Sequence, residues 1–196
     1  TKTLNENIVP PEDLDIDDLQ KFEVGVVNIQ ENENRTPIPY VVPPGIAREI
    51  LRGSTTLQRQ NEQSLSVKVT ELEPGAARGI YKNVSVDLRM YKQLRLFLHA
   101  EGIQTQPQVQ NVDMVAIVRL GSDINDNYYQ LEKKLFITDY GATTPAEIWP
   151  EENNLHALLE YLGELKLLRF EQGIPPNVVF PAEGGVPPIE GLEGYE

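Results

Sequence analysis

The residue types that usually carry chemistry are thinly spread along this chain. It has no cysteine and two histidines, His99 and His156, and neither histidine has a metal-ligand partner at a useful spacing. No G-x-S-x-G nucleophile elbow occurs, and the scattered glycines form neither a phosphate loop nor a dinucleotide fingerprint. The acidic pairs Glu151–Glu152 and Asp17–Asp18 have the residue types of glycosidase carboxylates. In so acidic a chain they read as solvated faces. His99 falls on the polar side of an alternating segment, so surface or structural roles are expected for both histidines. No catalytic residue, cofactor or metal site is assigned.

Two further groupings could bind rather than react. GSDINDN, from Gly121 to Asn127, gathers carboxylate and amide oxygens at Asp123, Asn125, Asp126 and Asn127, the hard donors that calcium prefers. An EF-hand loop counted from Asp123 would need Gly and Glu where this chain has Tyr128 and Lys134. A hairpin turn is the plainer reading, because Asn, Asp and Gly tolerate left-handed backbone. Tyr128, Tyr129, Tyr140 and Trp149 lie near turns or strand ends and could form a platform for stacking on a sugar ring. Packing is what such aromatics more often do. Tyr128, Tyr129 and Trp149 are carried forward as interaction candidates. The sequon Asn83-Val84-Ser85 is informative only where asparagine is glycosylated.

Composition narrows the partners. Seventeen basic residues against thirty acidic ones leave a net charge of −13, which repels the phosphates that dominate nucleic-acid affinity. The apolar runs, such as Val24–Val27 and Val115–Val118, fall far short of the roughly 20 residues of a membrane helix. Lack of an initiating Met and of a signal-peptide pattern makes an internal, soluble piece of a longer protein the expectation.

The elements that must position these residues are mainly strands. Leu65, Val67 and Val69 alternate with Ser66, Lys68 and Thr70, so their apolar face should be buried. Leu94, Leu96, Leu98 and Ala100 form a second apolar row. Val112–Leu120 is apolar on both faces in its middle and reads as a central strand. Tyr128–Thr138 alternates again and should pair with it through the turn at Ser122–Asn127. Leucines 155, 158, 159, 162 and 165 recur at helical spacing, with Asn153 or Asn154 as cap and a strand expected from Lys166 to Phe170.

The expected fold is therefore mainly β, an antiparallel β-sandwich with one short helix. Residues 61–173 would form the sandwich. Residues 1–60, punctuated by Pro10, Pro11, Pro37, Pro39, Pro43 and Pro44, read as an extended acidic arm in which only Leu19–Val27 suggests a strand, and which could add to a sheet edge. Residues 174–196 read as a flexible Pro/Gly-rich tail.

Five strings, taken together and in order, resemble the SprA (Sov) family. They are NRTPIPYVVPPGI from Asn34, RQNEQSLSVKV from Arg59, GAARGIYKNVSVDLRMYKQLRLFLHAE from Gly75, VRLGSDINDNYYQLEKKL from Val118 and IWPEENN from Ile148. The resemblance implies a piece of a giant outer-membrane translocon of the Bacteroidetes type IX secretion system, which also supports gliding motility. Its partners would be other segments of that protein and the secretion-system subunits, with no membrane contact by this piece. SVDLRMYKQLRLFLHAE is also similar to the strand preceding the substrate face in galactose-binding-like jelly rolls and carbohydrate-binding modules, which implies that the antiparallel β-sandwich is of jelly-roll, galactose-binding-like type. A non-catalytic interaction domain in the cell envelope is the leading expectation, and a glycan-binding module the alternative.

Overall fold

The computed structural model describes residues 21–51, 58–102, 108–123 and 125–180. Residues 1–85 and 86–196 form two compact units.

In the first unit, β1 (Phe22–Asn28) pairs antiparallel with β4 (Gln63–Val69), in a register that sets Val24 opposite Val67 and Val26 opposite Leu65. The strand signal at Leu19–Val27 is thus realised, and it joins part of the expected arm to the strand beyond residue 60. Between them lie α1 (Ile29–Asn32), a single turn capped by the Asn28 side chain, and a minimal pairing of β2 (Ile50–Leu51) with β3 (Gln58–Arg59). The Pro-rich run does not stand free. Arg35 Nε donates to the Ile38 carbonyl at 2.8 Å, the Tyr40 amide donates to the Asn32 carbonyl at 2.9 Å, and the Tyr40 and Ser64 hydroxyls meet at 2.7 Å. Ile38 and Tyr40 are buried as a result. Desolvation of its phenol raises the Tyr40 pKa.

The β1–β4 ribbon reverses the expected polarity. Leu65 is 61% and Val67 47% exposed, while Ser64 and Ser66 on the other face are half-buried. The physical reason is local: the Tyr40 segment is anchored on the serine side, at Ser64.

The second unit holds two more antiparallel ribbons. β5 (Gln93–Leu96) pairs with β8 (Leu155–Leu158), and β6 (Val115–Gly121) pairs with β7 (Tyr128–Lys134). Leu94 and Leu96 stand opposite Ala157 and Leu155, and Val118 and Leu120 stand opposite Leu131 and Tyr129. These eight side chains, with Leu98, Leu159 and Leu162, make one apolar cluster, so one face of each ribbon feeds the same core. The fold is β-rich and antiparallel, as alternation requires. Among the described residues, however, ladders join strands only in pairs, so β6 has the single partner β7 and is not a central strand.

The order of elements after residue 154 is the inverse of the expected one. Leu155–Leu158 is strand β8, and the helix, α3 (Glu160–Glu171), covers the stretch expected to end as a strand. Leu155 and Ala157 alternate with exposed His156 and find a ladder partner in β5, which outweighs the helical spacing of the leucines. From Glu160 onward the chain is rich in Glu, Leu, Lys and Arg, strong helix formers that tolerate Gly163. Gly173, at φ +66°, closes the helix, its amide and that of Ile174 donating back to Phe170 and Arg169 carbonyls. Of the expected tail, residues 181–196 lie outside the described residues, as do Asp17 and Asp18.

Leu155 is fully buried in the cluster, so Leu155→Ala should cost about 2–5 kcal/mol. Leu65→Ala on the bare face of the first unit should cost less than about 0.5 kcal/mol. Urea denaturation of the two variants measures the contrast.

Candidate functional site

Two loops of the second unit are tied to one short segment. Thr144-Pro145-Ala146-Glu147 opens α2 (Pro145–Ile148) with a reciprocal capping box, the Thr144 hydroxyl accepting from the Glu147 amide and the Glu147 carboxylate from the Thr144 amide at 3.0 Å. Pro145 sits at the first helical position, where a missing amide hydrogen is harmless. The Thr144 and Thr143 amides hold the Glu147 carboxyl below its ordinary value, which commits it to the ionised cap.

The end of α2 meets His99. Its Nδ1 donates to the Ile148 carbonyl at 2.7 Å, because a carbonyl can only accept, and this fixes the proton on Nδ1. The Thr138 hydroxyl lies 3.2 Å from the same nitrogen and donates to the same carbonyl at 3.4 Å. Nε2 is buried without a hydrogen bond, with the Glu101 carboxylate 3.6 Å away. Trp149 meets the imidazole edge to face at 5.7 Å between ring centres. His99 is therefore not on a wet face; it is a joint between the segments around residues 99, 138 and 148.

A 3₁₀ turn, Glu151–Asn153, follows Trp149. Asn153 is fully buried, accepts from the Phe136 amide at 2.7 Å and donates to the Phe136 carbonyl at 2.8 Å. Its side-chain amide thus makes both hydrogen bonds of a strand partner. Asn153 and Asn154 do not cap a helix from Leu155 as expected, because β8 begins there.

The aromatic candidates separate. Tyr129 packs into the apolar cluster, and burial raises its pKa. Tyr128 points to the opposite face, where the Arg119 guanidinium lies 4.0 Å from its ring centre while Arg119 Nε donates to Gln130 at 2.8 Å. Trp149 is only 6% exposed. Tyr140 is partly exposed and donates its hydroxyl to the Gly102 carbonyl. Three different settings hold Tyr128, Tyr129 and Trp149, and no shared stacking platform is built from them.

The GSDINDN segment is the hairpin turn between β6 and β7. Asp123 Oδ1 accepts the amides of Asn125, Asp126 and Asn127 at 3.0, 2.6 and 3.1 Å, and Oδ2 accepts the Asn127 side chain at 2.6 Å. Led by the Asp126 amide, these donors hold its carboxyl well below the usual carboxylate range. Of the oxygens offered to a cation by the sequence, both of Asp123 are thus engaged inside the turn. Among the described residues, no three His, Cys, Asp or Glu gather as metal ligands, and no helix is long and apolar enough to cross a membrane.

Two open depressions lie on the second unit, one of ≈ 230 Å³ bordered by Arg95, Glu151, Asn154 and His156 and one of ≈ 470 Å³ bordered by Asp139, Glu147, Glu152, Asn111 and Tyr140. In the smaller depression His156 Nε2 lies 2.7 Å from Gln93 Oε1.

A β-rich domain whose polar side chains fasten its own loops is the class defined by this geometry. The SprA_N family model, described as motility related/secretion protein, matches residues 3–182, and the chain belongs to that family. No curated protein matches it. The five strings singled out in the sequence thus point to the right family, and two of them carry joint residues, His99 in the string from Gly75 and Ile148, Trp149 and Asn153 in IWPEENN. Reading by chemistry alone gave Asn153 the role of a helix cap instead of its role at Phe136, and missed the capping box. The box was legible as Thr-Pro-x-Glu, whereas burial of an asparagine amide leaves no sequence signal.

Asn153→Ala orphans two backbone groups at Phe136 and should destabilise the unit by about 1–3 kcal/mol, with faster hydrogen exchange of the Phe136 amide. For Asp123, whose folded pKa is depressed from 3.8, the turn's electrostatic stabilisation should be complete above that value. It should be lost only as pH falls through the lower folded value. A carboxyl ¹³C titration checks this, an ordinary Asp123 midpoint being the contrary result.

Proposed function

We propose that this chain is a non-catalytic structural and interaction domain of an SprA-type outer-membrane translocon, serving type IX protein secretion and gliding motility from the cell envelope. The observation that carries the reading is the employment of its polar groups. His99, Thr138, Glu147, Asn153 and Asp123 each spend their hydrogen bonds on fixing backbone in the domain itself. A catalytic site needs such groups aimed at an empty space where a substrate can sit. Glu147, at the larger depression, is held by its capping hydrogen bonds toward permanent ionisation and away from proton donation.

In this reading the two ribbons of the second unit act as layers of a small sandwich, their apolar faces turned to the shared cluster. The domain's partners are other segments of the same large protein and subunits of the secretion machinery, recognised through surface rather than through a reaction. Rigid loops serve such a role, since a presented surface must hold its shape before it is bound.

The test is cargo export and gliding by cells carrying substitutions in the full-length protein. Asp139→Asn, Glu147→Gln and Glu152→Gln, each conservative at the larger depression, should leave both unchanged. Asn153→Ala, which loosens the domain, should lower both. A single acid substitution that stops export while the protein remains at wild-type abundance and protease resistance would overturn the proposal.

A further inference from the structure

The first unit displays a surface whose sequence pattern asks for burial that the described chain does not provide. On the β1–β4 ribbon, Val24 and Val26 are 46% and 58% exposed and stand directly opposite Val67 and Leu65, which are bare to a similar degree. Phe22 opposite Val69 extends the same face and is half-buried. Six apolar residues in three facing pairs leave no polar side chain between Phe22 and Val26 or between Leu65 and Val69 on that side. The other side carries Glu23, Gly25, Ser64, Ser66 and Lys68 with a half-buried Val27, and the Tyr40 hydroxyl is seated on it at Ser64. Among the described residues of the first unit, one layer is therefore present on the more polar side and none on the apolar side, where a two-stranded ribbon most needs one to be stable.

We infer that this face is the docking surface for a further β-layer supplied by the same secretion polypeptide outside residues 1–196, with alternating Val, Ile, Leu or Phe turned toward it. The inference rests on the reading of the chain as a domain of a large translocon and names the surface through which it is held there. The shape of the face selects the occupant. A flat, pleated row of β-branched and leucine side chains is matched by another sheet stacked about 10 Å away.

Area argues against a second free copy. Four half-exposed aliphatic side chains offer on the order of 300 Å², far below the ~800 Å² per partner that a stable association of separate molecules buries. A tethered segment needs no such area, because its effective concentration is already millimolar or so. Charge argues against an anionic lipid surface. Among the described residues, the lysines flanking the ribbon are paired with acids, Lys21 with Glu71 at 2.9 Å and Lys68 with Glu23 at 3.3 Å, so they form no basic rim to meet headgroups.

The experiment places single cysteines in the full-length protein in native cells at Val26, at Leu65 and, as the wet-face reference, at Lys68, and reads maleimide labelling by peptide mass spectrometry. Val26→Cys and Leu65→Cys should label about tenfold or more slowly than Lys68→Cys, as expected for positions shielded most of the time. Equal rates would overturn the inference. A photo-crosslinking residue at Val26 then identifies the cover. An intramolecular crosslink to a strand outside residues 1–196 supports it; a crosslink to a second copy, to another subunit, to lipid or within residues 1–196 refutes it. Export and gliding measured in the same strains separate the two proposals. A freely labelled face with export still sensitive to Asn153→Ala sinks the docking surface and leaves the interaction domain standing.

Discussion

The second unit depends on one short stretch of backbone, Ile148 to Asn153, being held at both ends by side chains from elsewhere. At its start the Ile148 carbonyl receives His99 and Thr138; at its end Asn153 exchanges two hydrogen bonds with Phe136. Neither connection belongs to a sheet ladder or a helix. Each substitutes a side chain for the backbone partner that buried polar groups require, and that requirement is strict because an unpaired buried group costs about as much as several good contacts return. With this stretch fixed, Leu155 and Ala157 enter the core in register with Leu96 and Leu94.

The core follows from that placement. β5 and β8 are separated by nearly sixty positions in the chain, and their pairing closes a loop containing the β6–β7 hairpin. The hairpin itself is local, defined by the Asp123 turn and by Gly121, where any Cβ would strike the Asn127 carbonyl and Tyr128. Local and long-range ribbons then share Leu131, Leu155, Ala157 and Leu162. The long-range pairing carries the larger entropic cost, so the polar joints that pre-position it matter more than their number suggests.

How much of this was legible divides along the same line. The hairpin was readable, because alternation on both arms and an Asx-rich turn are local signals. The β-rich class and the family strings were readable for the same reason. The helix and strand after Asn154 were interchanged, since leucines at 155, 158, 159 and 162 satisfy both periods and only the distant partner β5 decides between them. Trp149 and Tyr129 were candidates for display and are packed, whereas Tyr128 remains on the outer face under Arg119. An aromatic's neighbours in sequence do not reveal which side of a ribbon faces the core. His99 was misplaced by the same limit, its strand ending at Leu96 before alternation could carry it to the wet face.

The polarity of the first unit sharpens this point. Alternation in Leu65, Val67 and Val69 is a statement about burial, and burial is a property of whatever the chain assembles with. In the second unit both ribbons meet that demand inside the chain, through one shared cluster. In the first, the Tyr40 segment occupies the serine face and the aliphatic face stays bare. Four adjacent aliphatic side chains in register would be an aggregation hazard on an isolated domain, and selection ordinarily interrupts such a row with a charge. The charges here, Glu23 and Lys68, are instead paired with each other across the opposite face. An uninterrupted apolar row with its charges moved to the far side is the pattern of a surface shaped for a permanent neighbour, and that neighbour is part of what the sequence encodes.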